Sequence, residues 1–276
     1  MQRRFRQVDV FTKTPYFGNP LAVVVDGDGL SDEQMQRFAN WTNLSETTFL
    51  CPPTDPSADY RVRIFTNGRE LPFAGHPTLG TAHVWRETGG SPKRENMIVQ
   101  ECGVGLVEIA VDADLLSFAA PPLMRADAPT SDELAAAVDA LGIADGDIVD
   151  AQWVVNGPQW LAIQLGSAQA VLAVRPRACD LDLGVVGFYA DSSGPLYEVR
   201  AFFPVNGQSA EDPVTGSLNA GVAQWLIGSG QATPPYVATQ GTALGRKGRV
   251  HVNRTADGRI WIGGQVASSI NGTVEL

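Results

Sequence analysis

The residues best suited to chemistry stand in two segments of similar design. "RELPFAGHPTLGTAHVW", Arg69 to Trp85, places one of only three histidines, His76, between Gly75 and Pro77. "AEDPVTGSLNAGVAQWL", Ala210 to Leu226, places Ser217 directly after Gly216. Proline suits the first position of a helix, where its missing N–H has no partner to lose. The pattern therefore predicts His76 at one helix N-cap and Ser217 at another. A glycine before each cap lets a ligand approach the backbone without meeting a Cβ. A helix N-terminus presents unpaired N–H groups and a partial positive charge, worth about 0.3–1 kcal/mol to an anion when exposed. Two such termini predict one compact anion, such as a carboxylate, held at a domain interface, an expected place for a small-molecule site. Taken singly, each motif also has a purely structural reading, since serine is a common cap. The pairing is what points to a ligand.

Two carboxylates could join them. Asp212 lies five residues before Ser217 and directly before Pro213, where the chain favours an extended or turn conformation. It can shape that turn or reach a ligand at the same helix. Glu46, in "NLSETTFL", is the only charged residue between Arg37 and Asp55. An exposed strand glutamate is one reading. The other is a carboxyl group in a semi-polar pocket with Ser45 and Thr47 or Thr48. There desolvation raises its pKa toward neutrality, as a group that both takes and gives a proton requires.

The elements that must carry these residues repeat. Arg63 of "VRIFTNGRELPFAGH" matches Arg200 of "VRAFFPVNGQSAEDPVTGS" at an offset of 137. Gly75 and His76 match Gly216 and Ser217 at 141, and Gly80 and Ala82 then fall on Gly221 and Ala223. "GNPLAVVVDG" resembles "GPQWLAIQLG", and a helix beginning at Ser31 pairs with one at Ser167. A period near half the chain implies duplicated domains rather than a solenoid. "LAVVVDG", "DYRVRIF", "WVVNG", "WLAIQL" and "LYEVRAFF" read as strands. "LSDEQMQRFANWT" reads as a helix with a Ser31–Gln34 capping box and a Leu30–Met35 staple. "TSDELAAAVDALG" is a second, with a Thr130–Glu133 box, a Leu134, Ala137, Val138 and Leu141 stripe, and Gly142 as terminator. The small, apolar helices after His76 and Ser217 suit burial within their domains. "AAPPLMRADAP", Ala119 to Pro129, reads as the interdomain connection. The expected class is α+β, with domains at 1–118, joined again by about 265–276, and at 125–264.

Composition narrows the function. The chain is 44% hydrophobic and 18% charged, with a net charge of −10, which argues against nucleic-acid or anionic-membrane partners. The N-terminal segment lacks the apolar core of a signal peptide, and no apolar run is long enough to span a bilayer. Cys51, Cys102 and Cys179 fit neither a disulfide framework nor a zinc site, so a cytoplasmic protein with reduced thiols is expected. No strand leads into a G-x-G-x-x-G or P-loop turn.

"QVDVFTKTPYFGNPLAVV", "NLSETTF", "RIFTNGRELPFAGHPTLGTA", "EDPVTGSLNAG", "QGTALGRKGRV" and "WIGGQV" together resemble the PhzF family of phenazine-biosynthesis-like isomerases, from about residue 5 to 270. The resemblance implies a diaminopimelate epimerase-like fold, two pseudo-twofold related domains of strands wrapped around a central helix. The site would lie in the interdomain cleft. It also implies a trans-2,3-dihydro-3-hydroxyanthranilate-like substrate, whose proton one glutamate moves from C3 to C1. That role falls on Glu46, with Gly75, His76, Asp212, Gly216 and Ser217 binding the substrate's carboxylate and amine. No metal or organic cofactor is implied, and members are commonly homodimers. Related racemases use two cysteines, which would fall near Ala74 and Asp212; neither is cysteine here. Asn67 stands where many members have proline. Two other readings remain open from the residues: a hydrolase using Ser217, His76 and Asp212, although "TGSLNAG" is not the G-x-S-x-G elbow, and a non-catalytic carboxylate-binding protein.

Overall fold

A computed structural model describes residues 1–191, 193–205 and 207–276. The chain divides into two compact α+β units, Met1–Ala119 with Gly263–Leu276, and Ala120–Ile262.

In the first unit, β1 (Gln2–Val10) pairs antiparallel with β2 (Asn19–Val24), and α1 (Asp32–Thr42) carries the chain to β3 (Thr47–Cys51), parallel to β2. β4 (Tyr60–Phe65) returns antiparallel and turns into the short β5 (Glu70–Leu71). Next comes α2 (Gly75–Glu87), then β6 (Met97–Cys102), parallel to β4, and the antiparallel β7 (Gly105–Asp112) and β8 (Leu115–Ala119).

The second unit opens with α3 (Ser131–Leu141) and then repeats the scheme. β9 (Ile148–Trp153) pairs antiparallel with β10 (Trp160–Leu165), and α4 (Ala168–Ala173) leads to a parallel β11 (Asp182–Phe188). β12 (Tyr197–Val205) and β13 (Gln208–Asp212) form the hairpin, α5 (Gly216–Gly228) follows, and β14 (Tyr236–Gln240) runs parallel to β12. β15 (Gly248–Arg254) and β16 (Ile260–Gly264) complete the run. β17 (Val266–Glu275) then returns to the first unit, antiparallel to β1. From β1 to β7 and from β9 to β15, the sense of pairing is the same in both copies.

Local chemistry explains the helix ends. Ser31 and Gln34 close a capping box on α1, and Thr130 and Glu133 close one on α3. α3 stops at Gly142 in the left-handed region, and α1 stops at Asn43, a residue that tolerates the same conformation. Leu30 and Met35 share a buried cluster with Phe38 and Phe49. Ala137 and Leu141 of α3 are buried, and Leu134 packs against the same core. Ser167 caps α4. In the Pro-rich stretch, Met124 N–H and Asp127 C=O bond to Val155 and Trp153.

α2 and α5 are buried rather than amphipathic. Their first turns, Ser217 excepted, and most later positions are inaccessible, which explains a glycine and alanine content that would weaken a surface helix. A Cβ on Gly80 would stand 2.5 Å from Leu21 Cδ2, and one on Gly221 would stand 2.7 Å from the Val154 carbonyl oxygen. At these matched positions only a hydrogen lets the helix meet the chain packed against it.

The caps differ from the sequence expectation. α2 begins at Gly75 with Ala74 as N-cap, and α5 begins at Gly216 with Thr215 as N-cap. His76 and Ser217 are thus second helical residues in both copies. The first intrahelical bonds run from Thr78 N to Ala74 O and from Asn219 N to Thr215 O. Pro77 is the third helical residue, and the reason it fits is general: none of the N–H groups before the fourth helical residue has an intrahelical acceptor.

Matched arginines fasten the hairpin before each helix. Arg63 makes two parallel bonds to Glu70, at 2.7 and 2.6 Å, and a third to Asp32 at the start of α1, at 2.7 Å. Arg200 makes the same fork to Glu211, at 2.9 and 2.8 Å, and gives its other nitrogen to the Val171 and Val174 carbonyls at the end of α4. The first pair is partly exposed and the second is buried.

Candidate active site

In the first unit, Glu46 sits in the short turn between α1 and β3, and His76 sits in the first turn of α2. The geometry brings the two together: His76 Nδ1 lies 3.3 Å from Glu46 Oε2, with both side chains largely buried. Gly75 is the residue on which α2 begins, so its N–H and that of His76 belong to the set a helix cannot satisfy internally. Thr47 and Thr48 were expected to line a pocket around Glu46. Their hydroxyls instead bond Thr42 and Thr81, at 2.8 and 2.9 Å, in the interior. The imidazole of His76 stands beside the carboxyl group.

Burial pushes the His76 pKa down to about 3, against a smaller opposing contribution from the Pro20 backbone. The ring is therefore neutral near pH 7, and Glu46 faces an uncharged imidazole on this side. Below about pH 6.5 the unfolded chain protonates this histidine while the folded chain does not. Stability conferred by the neutral ring is thus fully present above pH 6.5 and declines as pH falls toward 3, with a slope of up to about 1.4 kcal/mol per pH unit. We expect the His76 ring resonances to stay flat between pH 5 and 8 in NMR titrations, with the ring charging only in strong acid. A titration centred near 6.5 in the folded protein would show the ring to be solvated instead.

In the second unit, Asp212 ends β13, and α5 begins four residues on. Asp212 Oδ2 accepts from Thr215 Oγ1 at 2.6 Å. Gln240, at the end of β14 and fully buried, ties this loop to the helix. Its Oε1 accepts from Thr215 N at 2.9 Å and from Asn219 Nδ2 at 2.7 Å. Its Nε2 donates to Asp212 O and to Thr215 Oγ1, both at 3.0 Å. Ser217 is held separately: its Oγ accepts from Trp160 Nε1 at 3.0 Å, and its carbonyl accepts from Asn156 Nδ2 at 2.9 Å.

Of the six residues picked out by sequence, Glu46, Gly75 and His76 thus meet in the first unit, and Asp212, Gly216 and Ser217 cluster at the start of α5 in the second. Gln240, Trp160, Asn156 and Thr215 were missed as supports. Gln240 and Trp160 lie inside the motifs "QGTALG" and "GPQWLAIQLG", but their partners are 21 to 28 residues away in the first case and 57 in the second. The first unit holds a counterpart of Gln240. Gln100 of β6 donates to Thr78 at 3.0 Å, in the position that matches Asn219, and accepts from Tyr60 at 2.9 Å. Among the described residues no helix is long and apolar enough to cross a membrane.

A duplicated α+β unit with a buried helix at the heart of each copy defines the diaminopimelate epimerase-like fold. Within it, the chain belongs to the PhzC-PhzF family of phenazine biosynthesis-like proteins, whose family model matches residues 8–272. It is 38% identical to Antisense-enhancing sequence 1 of Schizosaccharomyces pombe, over 98% of both chains. It is 34% identical to the trans-2,3-dihydro-3-hydroxyanthranilate isomerase of Pseudomonas aeruginosa, over 92% of this chain and 91% of the other. Among solved structures, the Bacillus anthracis phenazine biosynthesis protein of the PhzF family superposes with a TM-score of 0.85 at 22% identity, covering both chains completely. A probable proline racemase from Agrobacterium radiobacter, with bound carbonate, shares the fold at a TM-score of 0.61 and 12% identity, over 99% of this chain and 93% of the other. Family and named relatives together make the chain an isomerase.

Proposed function

We propose that this isomerase moves a proton within a small cyclic amino or hydroxy carboxylic acid of the trans-2,3-dihydro-3-hydroxyanthranilate type, with Glu46 as the only acid/base. The observation that carries the reading is the Glu46–His76 pair at the start of α2. A carboxylate beside a protonated imidazole would be held in its charged form. Beside the neutral ring it is not locked in that form by a positive charge from His76, and it can accept a carbon-bound proton and return it to another carbon of the same substrate. His76 then positions the substrate and the carboxyl group, and the N–H groups at the start of α2 are suited to the substrate's carboxylate. Asp212, fixed by Thr215, is set to receive the amine, and Ser217 to donate to an oxygen. Neither Ala74 nor Asp212 offers a thiol, so one carboxylate serving both carbons fits better than a pair of cysteines.

The test is incubation of trans-2,3-dihydro-3-hydroxyanthranilate with the purified protein in deuterated water. We expect conversion to an isomer with deuterium at the carbon that receives the proton, to the extent that the glutamate exchanges before returning it. No conversion of this compound or of any member of a panel of cyclic amino and hydroxy acids would overturn the proposal. Hydrolysis of an ester or amide analogue that depended on Ser217 would favour the hydrolase reading.

A further inference from the structure

We propose that Trp160 is a positioning residue that makes Ser217 a dedicated hydrogen-bond donor to the substrate. The inference rests on the reading above, in which Ser217 touches a substrate oxygen.

A serine hydroxyl has one hydrogen to give and two lone pairs, and an indole N–H can only donate. A serine at an N-cap normally uses its oxygen as acceptor for an N–H of its own helix. Ser217 is two residues too late for that, because the N-cap is Thr215. Its oxygen is engaged from outside the helix by Trp160 Nε1, at 3.0 Å, and its carbonyl by Asn156. Trp160 is only 5% exposed, anchored at the first position of β10, so the indole is not free to swing away. With a lone pair of Oγ filled by a donor, the hydroxyl hydrogen is directed elsewhere.

Accessibility says where. From Val214 to Ala223 every residue is buried except Ser217, which is partly accessible. The duplication adds a second argument. Aligning "GNPLAVVVDG" with "GPQWLAIQLG" sets Trp160 on Leu21, just as the helix starts set Ser217 on His76. Leu21 has no donor, and it is packed against α2 at Gly80. The copy that acquired the hydroxyl also has the indole that orients it.

The experiment measures anthranilate affinity by calorimetry for the full chain, Trp160→Phe, Ser217→Ala and the double variant. Trp160→Phe keeps an aromatic ring and removes the N–H. We expect it to weaken anthranilate five- to tenfold, and to add less than twofold in the Ser217→Ala background. On a turned-over substrate, KM should rise while kcat stays within about threefold, because the proton chemistry lies elsewhere. In protein labelled with 15N-tryptophan, one indole N–H signal should move on Ser217→Ala and again when anthranilate is added to the unmutated protein. An unchanged affinity for Trp160→Phe, or an equal loss with and without Ser217, would reduce Trp160 to core packing and overturn the proposal. Should Trp160→Phe not fold, the indole signals decide: none moving on Ser217→Ala rejects the contact. An unchanged affinity for Ser217→Ala itself would instead reject Ser217 as a substrate contact, a failure of the underlying reading that is visible before any Trp160 variant is made.

Discussion

Replacing Glu46 by glutamine should lower turnover by about 10²–10⁴-fold, the range typical of removing a general acid/base, and should abolish solvent deuterium uptake. The amide matches the carboxyl group in size and still fills the space beside His76, so the fold and the imidazole contact give no independent reason for a loss. It cannot take a proton from carbon. Ligand affinity for anthranilate should change only a few-fold, because the binding groups at the helix starts are untouched. This combination separates the three readings. A hydrolase built on Ser217 would survive Glu46→Gln and die with Ser217→Ala. A binding protein would show no turnover to lose. Full turnover in Glu46→Gln would sink the assignment, whatever the substrate. His76→Asn provides the companion measurement, with an expected rise in KM and a smaller fall in kcat, since a neutral positioning ring carries no proton in the reaction.

The second large effect concerns stability. Glu211→Ala should destabilise the protein by about 3–5 kcal/mol, because it leaves the guanidinium of Arg200 buried without a counter-charge. The two side chains are only 5% and 11% exposed. The Val171 and Val174 carbonyls would still accept from Arg200, and Phe202 would still lie under it, 4.8 Å from the ring centre. Neither supplies a full negative charge. The matched change in the first copy, Glu70→Ala, should cost no more than about 1 kcal/mol. Glu70 is 42% exposed, and Arg63 keeps Asp32. Urea denaturation of the two variants beside the unmodified chain reads the difference directly. Equal losses would mean that burial does not distinguish the pairs. Because Asp212 follows Glu211 directly, Glu211→Ala should also loosen the loop that Gln240 ties to α5, with a higher KM in the folded fraction.

Much of this was legible in the residues. Ser31–Gln34 and Thr130–Glu133 are local signals, three residues apart, and both boxes formed where they were read. The two arginines and the two glycine-led helices were legible as a repeat, because a duplicated scaffold must preserve the contacts that hold it. What the residues left out is what depends on distant partners. Thr47 and Thr48 read as neighbours of Glu46, yet a strand sends adjacent side chains to opposite faces, and theirs went to Thr42 and Thr81. Pro77 set the expected cap two residues late, since proline is tolerated across the first turn and not only at its first position. The bonds of Gln240 and Trp160 join residues from different strands and helices, and no spacing rule in the chain announces them.

The return of β17 to the first unit sets an order of assembly. β1 pairs along its whole length with residues 266–275, and these leave the ribosome only after every residue of Ala120–Ile262. At a synthesis rate of roughly 5–20 residues per second, domains close as their last strand arrives. The second unit therefore has all of its strands while the first still shows one flank of β1 unpaired. Translation makes the later half of the duplication the first to be able to finish, and the half that carries Glu46 and His76 waits for β17.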